Sequence, residues 1–88
     1  MDARRVEKIA KGFANHWRVD ILVLLEKKPN LSLFNVTDEL NANFKTISEH
    51  LRRLTGAGLV MKRNRGARVE HSLTDLGRKA LKFLRTLE

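Results

Sequence analysis

The sequence predicts a mainly α fold with one small β-hairpin, in the order H-H-H-H-β-β-H. Three observations predict it. Apolar residues recur at helical spacing in separate stretches along the chain, and such spacing puts them on one face of a helix. One stretch near the C-terminal end, Val69, His71 and Leu73 between Arg68, Glu70 and Ser72, alternates with the period of a half-buried strand. The breaks between these stretches are short and carry Asn, Gly or the single Pro, the residues that turns and helix ends favour.

The first helix is expected from about Arg4 to Ala14, with Val6, Ile9, Ala10 and Phe13 on one stripe and Arg4, Arg5, Lys8 and Lys11 on a face that solvation alone accounts for. The second begins near Asn15-His16 and runs to about Lys27. Trp17, Val19 and Ile21 to Leu25 make it apolar on nearly all sides, the mark of a helix buried in the middle of a domain. Pro29 lies in the turn that follows, where its missing N–H costs least. Leu31 is read as a short extended segment. Ser32 caps a third helix, Leu33 to Leu40, with Leu33, Val36, Thr37 and Leu40 inward.

Asn41-Ala42-Asn43 then breaks the pattern for three residues. Asn41 is of a type that tolerates the left-handed conformation at a helix end. A break this short brings the third and fourth helices together at a steep angle, a helix-turn-helix. The fourth helix, opened by Asn43 as N-cap, carries Ile47, Leu51 and Leu54 on its inner stripe. Lys45, Ser48, Glu49, Arg52 and Arg53 occupy the opposite face. One face anchored to a core and the other polar and basic is what a helix in a DNA major groove requires. An ordinary amphipathic surface helix is the alternative for this stretch taken alone.

Gly58 supplies a left-handed C-cap. Leu59-Val60-Met61 is read as a strand, Asn64-Arg65-Gly66-Ala67 as the turn, and Arg68 to Leu73 as the returning strand. Lys62, Arg63, Arg65 and Arg68 would stand at the tip of this hairpin, a basic wing able to grip DNA backbone or minor groove. Thr74 caps a last helix, Asp75 to about Leu87. Leu76, Ala80, Phe83, Leu84 and Leu87 lie along one side with Leu81 beside them. Asp75 at its start and Lys82 and Arg85 at its end suit the helix dipole.

Composition agrees. The chain has 88 residues, a net charge of +8 and no cysteine, and residues 1–88 are expected to form a single domain. A chain of this size buries only about 60–65% of its unfolded surface, so a dimer interface would help it. Without cysteine there is no disulfide framework and no thiolate metal site. Ile21 to Leu25, the longest apolar run, is too short to span a membrane. Met1-Asp2-Ala3 leads into a charged stretch without a signal-peptide core, so the cytoplasm is the expected location. The charge is unevenly placed: residues 45–68 hold seven Lys and Arg against the single acid Glu49, whereas residues 29–44 hold two acids and no base. Concentrated positive charge of this kind is the footprint of a polyanion binder. A basic membrane-surface helix fits less well, because the charges fall on a helix and a loop rather than on one long amphipathic helix.

Three stretches also resemble the ArsR family, the bacterial and archaeal repressors named for arsenical resistance, over roughly residues 9–85. ANHWRVDILVLL is similar to the family's opening, with Arg18, Ile21 and Leu22 in register. In LSLFNVTDELNANFKTISEHLRRLTGAGLV, Asn43 stands at the capping serine, and Thr46, Ile47, Ser48, His50 and Leu51 match. GARVEHSLTDLG is similar to the wing exit. The resemblance implies a winged helix-turn-helix regulator, a homodimer binding operator DNA. It would put Asn43, Lys45, Thr46 and Ser48 in the major groove and Arg52 and Arg53 on groove or phosphates. Val6, Ile9 and Phe13 of the first helix, with Leu76, Ala80, Phe83, Leu84 and Leu87 of the last, would form the dimer interface, although core packing alone also explains both stripes.

There are three departures. The cysteine pair of the metal-sensing members is missing from LSLFNVTDEL, and His16, His50 and His71 have no partner at ligand spacing. No metal and no cofactor are therefore expected, and His50 and His71 are read as hydrogen-bonded structural residues. Phe44 and Lys45 replace small polar residues. Phe44 would press a thymine methyl or pack near the turn. Glu49 places a negative charge on the proposed DNA face, where it would accept from a cytosine amine or pair with Arg52 or Arg53, the pairing being favoured.

Together these point to a transcriptional regulator, most simply a repressor, binding double-stranded DNA. A winged helix used to dock protein is the rival reading, against which the basic charge of residues 45–68 speaks. No nucleophile–base pair, phosphate-cradling glycine loop or metal set supports an enzyme. Nothing in the sequence identifies an effector.

Overall fold

The computed structural model describes residues 1–88. The elements are α1 (Ala3–Phe13), α2 (His16–Lys27), α3 (Leu33–Glu39), α4 (Phe44–Gly56), β1 (Val60–Arg65), β2 (Arg68–Leu73) and α5 (Asp75–Arg85), in the order that the sequence predicts. Each helix starts at a side-chain cap that accepts orphan N–H groups of the first turn. Ser32 accepts from the Asn35 amide at 3.1 Å and Thr74 from the Gly77 amide at 3.0 Å. Asn43 accepts from both Lys45 and Thr46, at 2.9 and 3.2 Å. Asp2 caps α1 and Asn15 caps α2 in the same way.

The helix-turn-helix break is a Schellman motif. Asn41 takes φ 49°, the Ala42 amide donates to the Thr37 carbonyl at 3.2 Å, and the Asn41 amide donates to Asp38 at 3.1 Å. The motif recurs at the end of α4, where Gly58 takes φ 79° and the Leu59 amide reaches the Leu54 carbonyl at 3.0 Å. Leu54 and Leu59, the two residues that this geometry brings together, are both fully buried.

One core holds these pieces. Ile21, Leu22 and Leu25 of α2 meet Val36 of α3, the Ile47–Leu51–Leu54 stripe of α4, Leu59, Val60 and Leu73 around the hairpin, and Ala80 and Leu81 of α5. Burial of each large aliphatic side chain contributes roughly 1.5–3 kcal/mol before entropy is counted, so α4 is anchored by three. The structure corrects the expectation that α2 is buried all round. Trp17, Val19, Val23 and Leu24 are only half-buried, because α1, α4, α5 and β2 surround α2 without closing over it.

The strands are longer than expected. Asn64 and Arg65 belong to β1, pairing with Val69 and Arg68 in an antiparallel ladder that extends to Val60↔Leu73. The loop is only Gly66-Ala67. Gly66 takes φ 63° at the first central position while Ala67 stays out of the left-handed region, which is the II′ hairpin turn. Leu31 adds an isolated antiparallel bridge to His71, with backbone hydrogen bonds of 2.7 and 3.2 Å. No helix is long and apolar enough to cross a membrane.

Candidate nucleic-acid interface

Anchored from beneath, α4 turns Lys45, Arg52 and Arg53 to solvent, while Ser48 and Glu49 are half-exposed. Glu49 sits between the two arginines. Arg52 donates to it twice, from Nε at 3.1 Å and Nη2 at 2.7 Å, and Arg53 donates once, from Nε at 3.0 Å. The Arg52 hydrogen bond is the largest influence on the Glu49 carboxyl. Partial burial opposes it, the Arg53 hydrogen bond adds to it, and the pKa falls from the ordinary 4.5 to about 2. The carboxylate is thus ionised throughout the physiological range and fixes both guanidinium planes, leaving their remaining N–H groups outward. The expected pairing of Glu49 is the arrangement found.

Ser48 lies on the flank toward the wing. With Leu33, Leu51, Lys62, Val69 and His71 it lines a cavity of about 310 Å³ between α3, α4 and the hairpin. Asn43 is exposed and committed to capping, and Thr46 is half-buried on the other flank.

The four wing cations do not form one tip. Pleating puts Lys62 on the inner face with His71, its cross-strand partner, so Lys62 borders the cavity, away from the turn. Arg63, Arg65 and Arg68 lie on the outer face. Arg68 donates to Asn35 Oδ1 of α3 at 2.6 Å and lies 3.4 Å from Glu70, which pins the wing to the start of the helix-turn-helix. Arg63 and Arg65 make no ion pair within the chain. They remain available to a polyanion. Asn35, 33 positions from Arg68 in sequence, is the link that local pattern does not reveal.

Both conserved-type histidine positions of the resemblance are structural. His71 is 4% exposed, with Nδ1–H donating to the Leu31 carbonyl at 3.0 Å. Burial pushes its pKa below the ordinary 6.5 despite that hydrogen bond, and Lys62 lowers it further. His50 Nδ1 accepts from Arg18 Nε at 3.1 Å, which requires that nitrogen to be unprotonated. Burial first, and the Arg18 charge next, depress its pKa. No three His, Asp or Glu side chains come together as a metal-binding group. Phe44 is 53% exposed beside Phe34, itself 69% exposed. The two border a shallow hollow over the Asn41-Ala42 turn, so Phe44 lies on the α3 side of α4 and not on its outward face.

The eight residues expected at a dimer interface differ in position. Ala80 belongs to the core at 7% exposure. Ile9, Phe13, Leu76 and Leu84 pack against that core while remaining half-exposed. Val6, Phe83 and Leu87 are open to solvent.

The family model for bacterial regulatory proteins of the arsR family matches residues 16–62, more than half of the chain and all of the helix-turn-helix. The chain belongs to the ArsR family. Its family and fold are those of DNA-binding transcriptional regulators, not of enzymes. Among solved structures, this ArsR-family chain is 26% identical to the homodimeric winged helix-turn-helix DNA-binding domain of Mycobacterium bovis Mb0332, a possible ArsR-family regulator. The match covers 96% of this chain and 78% of that one, with a TM-score of 0.84. It is 26% identical to HlyU of Vibrio cholerae, covering 99% and 97% of the two chains, with a TM-score of 0.82. The transcriptional repressor PagR of Bacillus anthracis, 20% identical over 97% and 94% of the chains with a TM-score of 0.81, shares the fold. No curated protein matches the sequence.

Proposed function

We propose that residues 1–88 act as one DNA-binding domain that works as a homodimer in the cytoplasm, reads a palindromic operator in double-stranded DNA and represses transcription by occupying it. The observation that carries this reading is the outward face of α4, with Lys45, Arg52 and Arg53 exposed above three buried anchors and Arg63 and Arg65 unpaired on the adjacent wing. In this reading Asn43, Lys45, Thr46, Ser48 and Glu49 address the major groove. Arg52 and Arg53, oriented by Glu49, meet groove edge or phosphate, and Lys62, Arg63, Arg65 and Arg68 hold the backbone. Val6, Phe83 and Leu87, backed by Ile9, Phe13, Leu76 and Leu84, supply the dimer contact. The homodimeric M. bovis relative supports that assembly. A two-fold dimer sets its two α4 helices about 34 Å apart, one turn of the duplex. No cofactor or metal is part of the proposal.

The test separates reading from gripping. Lys45→Ala should change the preferred base at one position of each half-site. Arg65→Ala should weaken binding about equally for all sequences and reduce the slope of log affinity against log salt by about 1. Equal, sequence-blind losses in both variants would remove α4 as the reader.

A further inference from the structure

Beyond the α4 face and the wing, positive charge gathers at a third place. A cavity of about 320 Å³ lies between α1, the start of α2 and the last turn of α4. Lys8, Lys11, Arg18 and Arg53 line it around Gly12 and Gly56, and no carboxylate does. Arg18 is held from two directions. Its Nε donates to His50 and its Nη1 donates to the Lys11 carbonyl at 2.6 Å. Its Nη2 makes no hydrogen bond within the chain, and neither Nη of Arg53 does. Burial and then the nearby Arg53 charge make the Arg18 cation harder to keep. Folding gives no reason to crowd these groups, since like charges repel and packing does not require the Lys termini.

We propose that this cavity binds a phosphate group, with the guanidiniums of Arg18 and Arg53 donating to its oxygens and Lys8 and Lys11 neutralising the remaining charge. Planar guanidinium forks match phosphate geometry, and ammonium groups serve as point charges beside them. Gly56 leaves the entrance open, with no atom within 4 Å of where a side chain would begin. Lys8 and Lys11 lie off the Val6–Ile9–Phe13 stripe by helical spacing, so a dimer formed over that stripe leaves them accessible. Arg53 belongs both to this cavity and to the basic side of α4. A backbone phosphate of bound DNA is therefore one source of the ligand, and a free phosphorylated small molecule is the other. The first source rests on the DNA reading above; the second does not.

Lys8→Gln/Lys11→Gln removes two exposed charges and only one loose intrachain pair, Lys11–Glu7 at 3.6 Å. The full chain is titrated with inorganic pyrophosphate at constant ionic strength while the Gly12 and Gly56 amide resonances are followed. Salt dependence of DNA binding is measured alongside. Saturable shifts at both glycines, lost in the double variant, are expected. If the source is DNA, the salt slope also falls by about 1 per lost contact, so a fourfold rise in salt costs the variant about threefold less affinity than it costs the parent. If the source is a free molecule, the shifts disappear and the slope is unchanged. The proposal is overturned if the shifts are absent or persist in the variant and the slope does not change, which would mean a solvated basic patch only. Should that variant still enrich the same palindrome as the parent, the DNA reading stands while this inference falls.

Discussion

Replacing Gly77 by alanine places a methyl 2.1 Å from the Leu59 carbonyl oxygen and 3.4 Å from Leu73 Cδ2. Gly77 is buried in the first turn of α5, and its amide is the one that Thr74 caps. Ordinary contact begins near 3.4 Å, so α5 must withdraw from β1 by more than an ångström. That movement breaks the Thr74 amide to Leu59 carbonyl hydrogen bond, now 3.2 Å, and loosens Leu73, Ala80 and Leu81 in the core. Overpacking of this kind costs about 1–3 kcal/mol and the hydrogen bond about 1 more. The better helix propensity of alanine returns up to about 1 kcal/mol. The expected net loss is roughly 2 kcal/mol, a fall of about 8–16 °C in Tm for a domain this small. Thermal and urea unfolding at fixed protein concentration measure it. Gly56→Ala is the companion, because no atom lies within 4 Å of its added methyl; it should be neutral or stabilise by up to about 1 kcal/mol. A Gly77→Ala protein within 0.5 kcal/mol of the parent, on the order of ordinary surface substitutions, would refute the close approach of α5 to β1.

Two other predictions concern titration and assembly. His50 and His71 both have pKa values lowered from 6.5. Below about that pH the unfolded chain binds more protons than the folded one, so stability is fully present above it and is lost as pH falls toward the folded values. His50→Asn/His71→Asn, which keeps an acceptor for Arg18 and a donor for Leu31, should flatten the fall in urea midpoint between pH 7.5 and 5.5; an unchanged slope would place the titration elsewhere. Phe83→Glu puts a charge on the exposed apolar side of α5 and should raise the dimer dissociation constant about 30-fold, or ~2 kcal/mol, while leaving the circular dichroism spectrum intact. Sedimentation showing an undisturbed dimer would move the interface away from α5.

Much of the architecture was legible because it is written in local chemistry. Ser32, Asn43 and Thr74 are capping residues placed just before periodic apolar stretches, and all three cap. Asn41, Gly58 and Gly66 are residue types able to take positive φ, and all three do. Glu49 has Arg52 and Arg53 one turn ahead, so its pairing follows from helix geometry alone. What escaped the sequence depends on distant partners. The outer half of the hairpin is exposed on both sides, so Asn64 and Arg65 show no alternation and read as turn. The extent of α2 burial depends on how its neighbours are arranged. The close approach at Gly12, where an added Cβ would lie 2.5 Å from that of Ala57, leaves no trace in local pattern. Nor does the bond from Arg18 to His50, 32 positions away. For the candidate site, the charges were visible but not their division. Alternation along β1 sends Lys62 inward, and only the fold shows that Lys8, Lys11 and Arg18 share a cavity with Arg53.

The central claim is that α4 of a two-fold dimer reads DNA sequence, and selection from a random duplex pool at two salt concentrations tests it most directly. The account predicts enrichment of a palindrome whose half-sites are centred about one helical turn apart, with a preference that survives the higher salt. Binding that enriches no two-fold motif and vanishes as salt rises would contradict it, leaving the positive charge as non-specific grip.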